Sequence, residues 1–417
     1  MTDSADSDHG ETLDKIISNK RLNTEEQDAG ELSLRSRPYF AWIAIGGRCN
    51  LDCAHCGIPP RDKRDPDIPE LSRSVFEMLK CDLFPYLETC AFGGNNVGEQ
   101  LLASAWDHYF EEMDQFRFRL ILVTNGVLLN RERIAKLVAR GAQINLSLEG
   151  VTRPTYESIR GPFYDRLISN LQLLKEERRR QPGTGAVVHL GFTVCYDNVR
   201  ELAQLMEFAA RYEVDEVSAH HFVPWYEYQR SQSLVYHKTL GNEWFARAVR
   251  RAEELGIRVY LEEPFQIESL APKRPGAVPS RAPCPDPCFL PWTSVSINEW
   301  GLVHPCCGSD MRMGDLNTQE FEEVWNGDRY RRLRSTVNSK QPFPACATCV
   351  QRMLFSSSAA KEANLMRYIG GIGAPRALPG PAHFEGFGPL VRAAARLEGQ
   401  GGKLRRRFTT WIHRRGS

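Results

Sequence analysis

Three cysteines, Cys49, Cys53 and Cys56, fall within eight residues of the stretch RCNLDCAHCGIPP. Three thiolates are one short of the closed tetrahedral set that structural zinc demands, which usually arrives as paired CxxC. They can instead take one iron each of a four-iron cube and leave the fourth iron free for something else. A zinc or reactive-thiol site is the competing reading of the loop by itself. A second set follows much later: Cys284, Cys288, Cys306, Cys307, Cys346 and Cys349. Four or more thiolates in so short a stretch read as zinc or iron–sulfur. Only Cys81, Cys90 and Cys195 stand apart from the two sets.

The elements that must position these thiols show in the hydrophobic pattern. Strand-like runs occur at PYFAWIAIGG, LETCAFGG, FRLILVTNG, INLSLEG, VVHLGFTVC and VDEVSAHHFV, with helical patterns between them. Strand alternating with helix six times predicts parallel βα units, an α/β fold built as a partial (β/α)6 TIM-like barrel. Chemistry then belongs at the C-terminal ends of the strands. In INLSLEG, Ile144, Leu146 and Leu148 share one face and Asn145, Ser147 and Glu149 the other. In VVHLGFTVC the polar face carries His189, Gly191, Thr193 and Cys195. Because side chains alternate across a strand, the apolar face packs on helices and the polar face lines a wet or ligand-filled lumen. An edge strand with one solvated face would show the same alternation.

The CNLDCAHC loop after a strand resembles the signature of the radical S-adenosylmethionine (radical SAM) enzymes. That resemblance implies a [4Fe-4S] cluster on Cys49, Cys53 and Cys56. Its open iron would be chelated by the amino and carboxylate groups of S-adenosylmethionine, whose reductive cleavage yields a radical that abstracts hydrogen from substrate. Further stretches resemble the family in order. FGGNNVGEQLL is similar to its glycine–glutamate motif, with Gly98 and Glu99 as the best-placed pair. VTNGVLL places Thr124, Asn125 and Gly126 at the third strand's end. LSLEG with SIRG implies that Ser147 and Arg160 contact the ribose or carboxylate of the cofactor. Asn198 and His55 fall at positions the family uses near it. The resemblance also implies a reductant such as flavodoxin or ferredoxin.

The Cys-rich stretch 284–355 resembles the family's auxiliary-cluster domain, in the shortened twitch form of the SPASM domain. Cys288, Cys306, Cys346 and Cys349 are the implied ligands of one auxiliary [4Fe-4S] cluster, with Cys284 and Cys307 surplus. Twitch enzymes of antibiotic pathways resemble this chain most, which implies a small-molecule substrate, a sugar or cyclitol, that is oxidised or epimerised. Cys195 is the expected hydrogen-atom donor for epimerisation, and His189 and Glu149 are expected to bind substrate or move a proton. The alternatives are a maturase of a ribosomally made peptide and a non-catalytic iron–sulfur or zinc protein.

The remaining sequence sets the frame. Residues 1–36 carry nine acids against four bases and are expected to be a mostly disordered arm. The barrel is expected over 37–270, a Pro-rich linker over 271–283, and a Gly/Pro-rich then basic tail over 356–417. In LNTQEFEEVWNG, Asn317 and Glu320 read as a capping box and Gly327 as a helix stop. A net charge of +1 gives no global bias toward nucleic acid. No apolar run approaches the roughly 18–20 residues of a membrane span. The polar N-terminus does not read as a secretory signal, so a cytoplasmic location is expected.

Overall fold

The computed structural model describes residues 3–57, 62–93, 98–262, 264–265, 287–347 and 349. The linker, the tail, and Cys284 with them, lie outside these residues.

One sheet of ten strands runs through the described chain, in the order β10–β9–β8–β1–β2–β3–β4–β5–β6–β7. The strands are β1 Phe40–Ile43, β2 Thr89–Phe92, β3 Arg119–Thr124, β4 Gln143–Ser147, β5 Val187–Val194, β6 Glu216–His221, β7 Arg258–Leu261, β8 Ser294–Ile297, β9 Leu302–His304 and β10 Gly314–Asp315. From β8 through β1 to β7 every pairing is parallel. Helices α2 Arg73–Asp82, α3 Trp106–Met113, α4 Arg131–Ala139, α5 Arg153–Arg160, α6 Tyr164–Arg180, α7 Leu202–Arg211 and α8 Lys238–Leu255 make the crossovers. This is the partial barrel expected, with a seventh βα strand, β7, beyond the six read from sequence. Its alternation, RVYL, is too short to stand out beside α8.

The alternation read in β4 and β5 places side chains as expected. Ile144, Leu146, Leu148, Val188, Leu190, Phe192 and Val194 are all buried in the main core. Asn145, Ser147, His189 and Thr193 keep partial exposure on the opposite face. The helices seal the outer face through apolar stripes such as Val75, Phe76 and Leu79 of α2, following helical spacing.

One expectation is corrected. Residues Asp3–Ala29 form one long helix, α1, rather than a disordered arm. Its hold on the fold is polar. Asn23, fully buried, donates to Ser36 Oγ at 2.9 Å and to the Trp292 carbonyl at 2.7 Å. Asn19 donates to the Arg37 carbonyl and accepts from its N–H. Glu26 accepts from the backbone of Arg35 and Ser36 and from Ser36 Oγ. A helix docked by side-chain amides and a carboxylate has the composition of a disordered segment. The Cys-rich module joins the barrel's own sheet. Its β8, buried at all four positions, pairs in parallel with β1, Phe40 against Ser294. The hairpin β8–β9 thereby extends the barrel's own sheet.

The capping expectation shifts by three residues. Glu320 and Glu323 form the box at the start of helix Phe321–Trp325, and Gly327 caps the next helix, Asp328–Thr336. Asn317 instead donates to the Trp300 carbonyl across the β8–β9 turn.

Candidate active site

The three-cysteine loop leaves β1 at the C-terminal edge of the sheet. Its path is set by contacts from far along the chain. Cys49 N–H donates to the Lys63 carbonyl and Ala54 N–H to the Ile159 carbonyl. Gln229 Nε2 donates to the Ala54 carbonyl at 2.9 Å and Tyr226 Oη to the Gly57 carbonyl at 2.7 Å. The Trp225 ring lies where a Cβ on Gly57 would be, 2.7 Å from that point, so only glycine fits beneath it. Residues 225–229, which exit β6, thus strap the loop. Sequence reasoning missed them, although the aromatic run PWYEYQ after a strand was the available signal.

Burial pushes the Cys49 thiol up to about 11, against the weaker pull of a Leu51 backbone hydrogen bond and Lys63. Burial raises Cys53 as well, outweighing Arg160. Thiols so placed stay protonated unless a metal supplies the opposing charge. Among the described residues no three His, Cys, Asp or Glu side chains converge on a single-ion site. A cube that takes one thiolate per iron spreads its ligands wider than one ion does. The donor set fits an iron–sulfur cluster.

Beside the loop stands Glu99, fully buried. Its Oε1 accepts from Thr124 Oγ1 and its Oε2 from Asn125 N–H, both at 2.7 Å. Burial raises its pKa despite these bonds. Gly98 precedes it with φ +68°, and a Cβ there would come within 2.5 Å of the Arg48 carbonyl. Glycine is the residue that adopts this conformation and tolerates the contact. Asn125 also donates to Asn50 Oδ1 inside the cysteine loop. Sequence-separated Gly98, Glu99 and Asn125 therefore meet at one edge of Cys49.

On the other side Arg160, buried, pairs with buried Glu149. The Glu149 backbone lies in the left-handed region at φ 48°, an unusual position for a non-glycine residue. Asn198 locks it there by donating to the Glu149 and Thr193 carbonyls while accepting from Cys195 N–H. Glu149 is thus the counter-ion of Arg160, correcting the expectation that it is free to act on substrate. Ser147 keeps partial exposure one turn of the strand away. His55 stacks on Phe222 at 4.6 Å, its Nδ1 buried without a partner, and burial lowers its pKa.

Cys195 is also corrected. It shares the inner face of β5, but it is fully buried with Ile159 and Phe222, and burial pushes its thiol up to about 11. Packed with them, its side chain has no exposed surface. His189 does face the lumen, with Nε2 2.7 Å from Ser218 Oγ and Nδ1 3.4 Å from Glu216. Burial lowers its pKa, against the pull of Glu216. Beyond it, His220, Arg258 and Tyr260 are each more than half exposed along β6 and β7.

In the Cys-rich module, Cys288, Cys307 and Cys349 each act electrostatically on Cys306, whose thiol burial raises far above its ordinary value. Cys307 is raised to about 11, first by burial, and couples to Cys349. Cys306 thus sits at the centre of the group and Cys307 at its flank. Asn338 fixes Cys288 by accepting its N–H and donating to its carbonyl. Cys346 lies in helix Pro344–Ala347, partly buried against the core.

Comparison with known proteins agrees with this geometry. The Radical SAM superfamily model matches residues 43–209, and that of SPASM, an iron–sulfur cluster-binding domain, matches residues 288–350. An AdoMet-dependent heme synthase of Methanosarcina barkeri is 22% identical over 341 residues, 74% of this chain and 87% of that protein. An Fe-coproporphyrin III synthase of the same organism is 26% identical over 197 residues, 46% of each chain. The crystal structure of Streptococcus suis SuiB bound to S-adenosylmethionine superposes with TM-score 0.55 at 17% identity, over 76% of this chain and 72% of that one. That of anSMEcpe with bound AdoMet gives 0.56 at 14% identity, over 79% and 96%. At these identities the superpositions show a shared fold.

Proposed function

We infer that this chain, a radical SAM enzyme whose barrel is followed by a SPASM domain, abstracts a hydrogen atom from a carbon of a peptide substrate. The cofactors are S-adenosylmethionine, a [4Fe-4S] cluster and auxiliary iron–sulfur. Cys49, Cys53 and Cys56 would hold the first cluster, and Cys288, Cys306, Cys346 and Cys349 the auxiliary one. When bound, the first cluster and S-adenosylmethionine supply a carbon radical strong enough to take hydrogen from an unactivated C–H bond.

The chain's own residues orient these groups. Glu99, held by Thr124 and Asn125, presents a fixed carboxylate beside Gly98 for the ammonium of S-adenosylmethionine. Arg160 and Ser147 would contact its ribose or carboxylate, with Glu149 holding the guanidinium in place. His55 would lie near the adenine, and Asn198 near the cofactor. His189, held between Ser218 and Glu216, would take a proton from the substrate, and auxiliary iron–sulfur, when bound, would supply a one-electron acceptor. Together these would complete an oxidation.

The observation that carries the peptide reading is the exposed polar inner face of β6 and β7. Arg258 and Tyr260 lie open on β7, an edge strand among the described residues to which an extended chain can add, with His220 open beside them on β6. Similar folds belong to SuiB, seen bound to precursor peptide SuiA, and to anSMEcpe, seen with a Cp18Cys peptide. The sugar or cyclitol reading gains no such support. A tetrapyrrole substrate is the second reading, favoured by the length of the heme synthase match. The test is turnover of reconstituted protein with S-adenosylmethionine, a reductant, and in turn peptides encoded near its gene, a coproporphyrin and aminocyclitols. A mass change confined to a peptide supports the proposal. Conversion of only the porphyrin or the cyclitol would overturn it.

A further inference from the structure

Lys63 lies in the short turn Asp62–Arg64 just after the three-cysteine loop. It is only 2% exposed. Its carbonyl anchors Cys49 N–H at 3.0 Å, and its ammonium is close enough to act electrostatically on the sulfurs of both Cys49 and Cys53 and on Tyr228. The flanking cations have partners: Arg64 pairs with Asp52, and Arg48 with Glu70. Among the described residues no carboxylate pairs with Lys63. Two other charged groups near the loop have partners. Arg160 is taken by Glu149, and Glu99 accepts from Thr124, Asn125 and Leu101.

A buried ammonium without an anion is costly, and folded proteins pair such groups. The anions within reach of Lys63 are the cysteine sulfurs. We propose that Lys63 is the counter-cation of the three-cysteine centre and biases its bound cluster toward the one-electron-reduced form. Reduction adds a negative charge to the cluster, and a fixed positive charge in a low-dielectric site favours the more negative state. Lys63 is thereby a tuning residue, acting through the cluster and not on substrate. The inference rests on the iron–sulfur reading of the loop.

The test compares anaerobically reconstituted wild type, Lys63→Met and Lys63→Arg in full-length protein. Each is titrated with dithionite while the EPR signal of the reduced cluster is followed. The signal that changes on adding S-adenosylmethionine belongs to the three-cysteine centre. Iron content and far-UV circular dichroism establish loading and fold. The expected result is a midpoint shifted to more negative potential in Lys63→Met and a wild-type midpoint in Lys63→Arg. If Lys63→Met does not load iron, Lys63→Gln is read by the same criterion. A loaded neutral variant with the wild-type midpoint overturns the inference alone. Wild-type protein that binds zinc in place of iron overturns the reading of the loop and the inference together.

Discussion

The three-cysteine loop and the Cys-rich hairpin hold thiols in opposite ways. In the loop the thiols are neighbours in sequence, and everything around them comes from elsewhere: Glu99 from the turn after β2, Arg160 from α5, Gln229 from the exit of β6. Those groups are charged or polar and aim into the loop. In the hairpin module the thiols come from separate stretches, at 288, 306–307 and 346–349, and their surroundings are nearly inert. The shift of Cys306 comes from burial first and then from neighbouring thiols. The nearby Arg334 is spent on the carbonyls of Pro291 and Leu32. The difference fits the roles proposed for the two sites. A centre that must bind and orient a second molecule needs fixed polar groups beside an open position. A centre that carries only electrons needs a closed ligand set and exclusion of water.

The sharpest way to break this contrast is to remove one thiol from each side. Cys53→Ala should abolish 5′-deoxyadenosine release, whereas Cys349→Ala should keep releasing it while losing the modified product. Chromatography of both products checks this, and loss of 5′-deoxyadenosine in both variants would show that the sites are not independent. Next in size is Glu99→Gln. It removes the charge that accepts from Thr124 and Asn125, a loss of about 1.5–3 kcal/mol for hydrogen bonds to a charged group. Binding of S-adenosylmethionine should weaken roughly ten- to hundredfold, measured by calorimetry on the reconstituted protein. Cys288→Ala should leave that affinity unchanged.

Gly98→Ala tests the same edge through the backbone. A positive φ and a clash with the Arg48 carbonyl should cost about 1–3 kcal/mol of stability, read from denaturant unfolding.

The smallest expected effect concerns α1. Burial would raise the Glu26 pKa, but hydrogen bonds from Ser36 and Arg35 hold it below its ordinary 4.5. A depressed carboxyl contributes stability that is present above the unfolded pKa and lost as pH falls through the folded one. Hydrogen exchange of α1 should therefore accelerate below about pH 4.5 before the barrel loosens. In Glu26→Gln that extra sensitivity should vanish.

Much of this was legible in the residues. The cysteine spacings announced two metal centres, because ligand geometry is written in local spacing. The alternation in INLSLEG and VVHLGFTVC announced the two faces of the barrel, because strand side chains alternate wherever the strand ends up. The docking of α1 was hidden, because Asn19, Asn23 and Glu26 are stabilising only where the backbone of residues 35–37 meets them. The joining of β8 to β1 was hidden because parallel pairing between distant strands leaves no local signature.

By itself, then, the chain pointed to two sets of cysteines as candidate metal ligands and determined which face of each strand is polar. Tertiary packing alone decided what those polar groups do. Glu149 became the partner of Arg160, Cys195 was packed against Ile159 and Phe222, and Lys63 was left beside Cys49 with no carboxylate partner among the described residues. The physical reason is range: ligand spacing and side-chain alternation act over a few residues, whereas burial and charge pairing depend on every element that converges on a site.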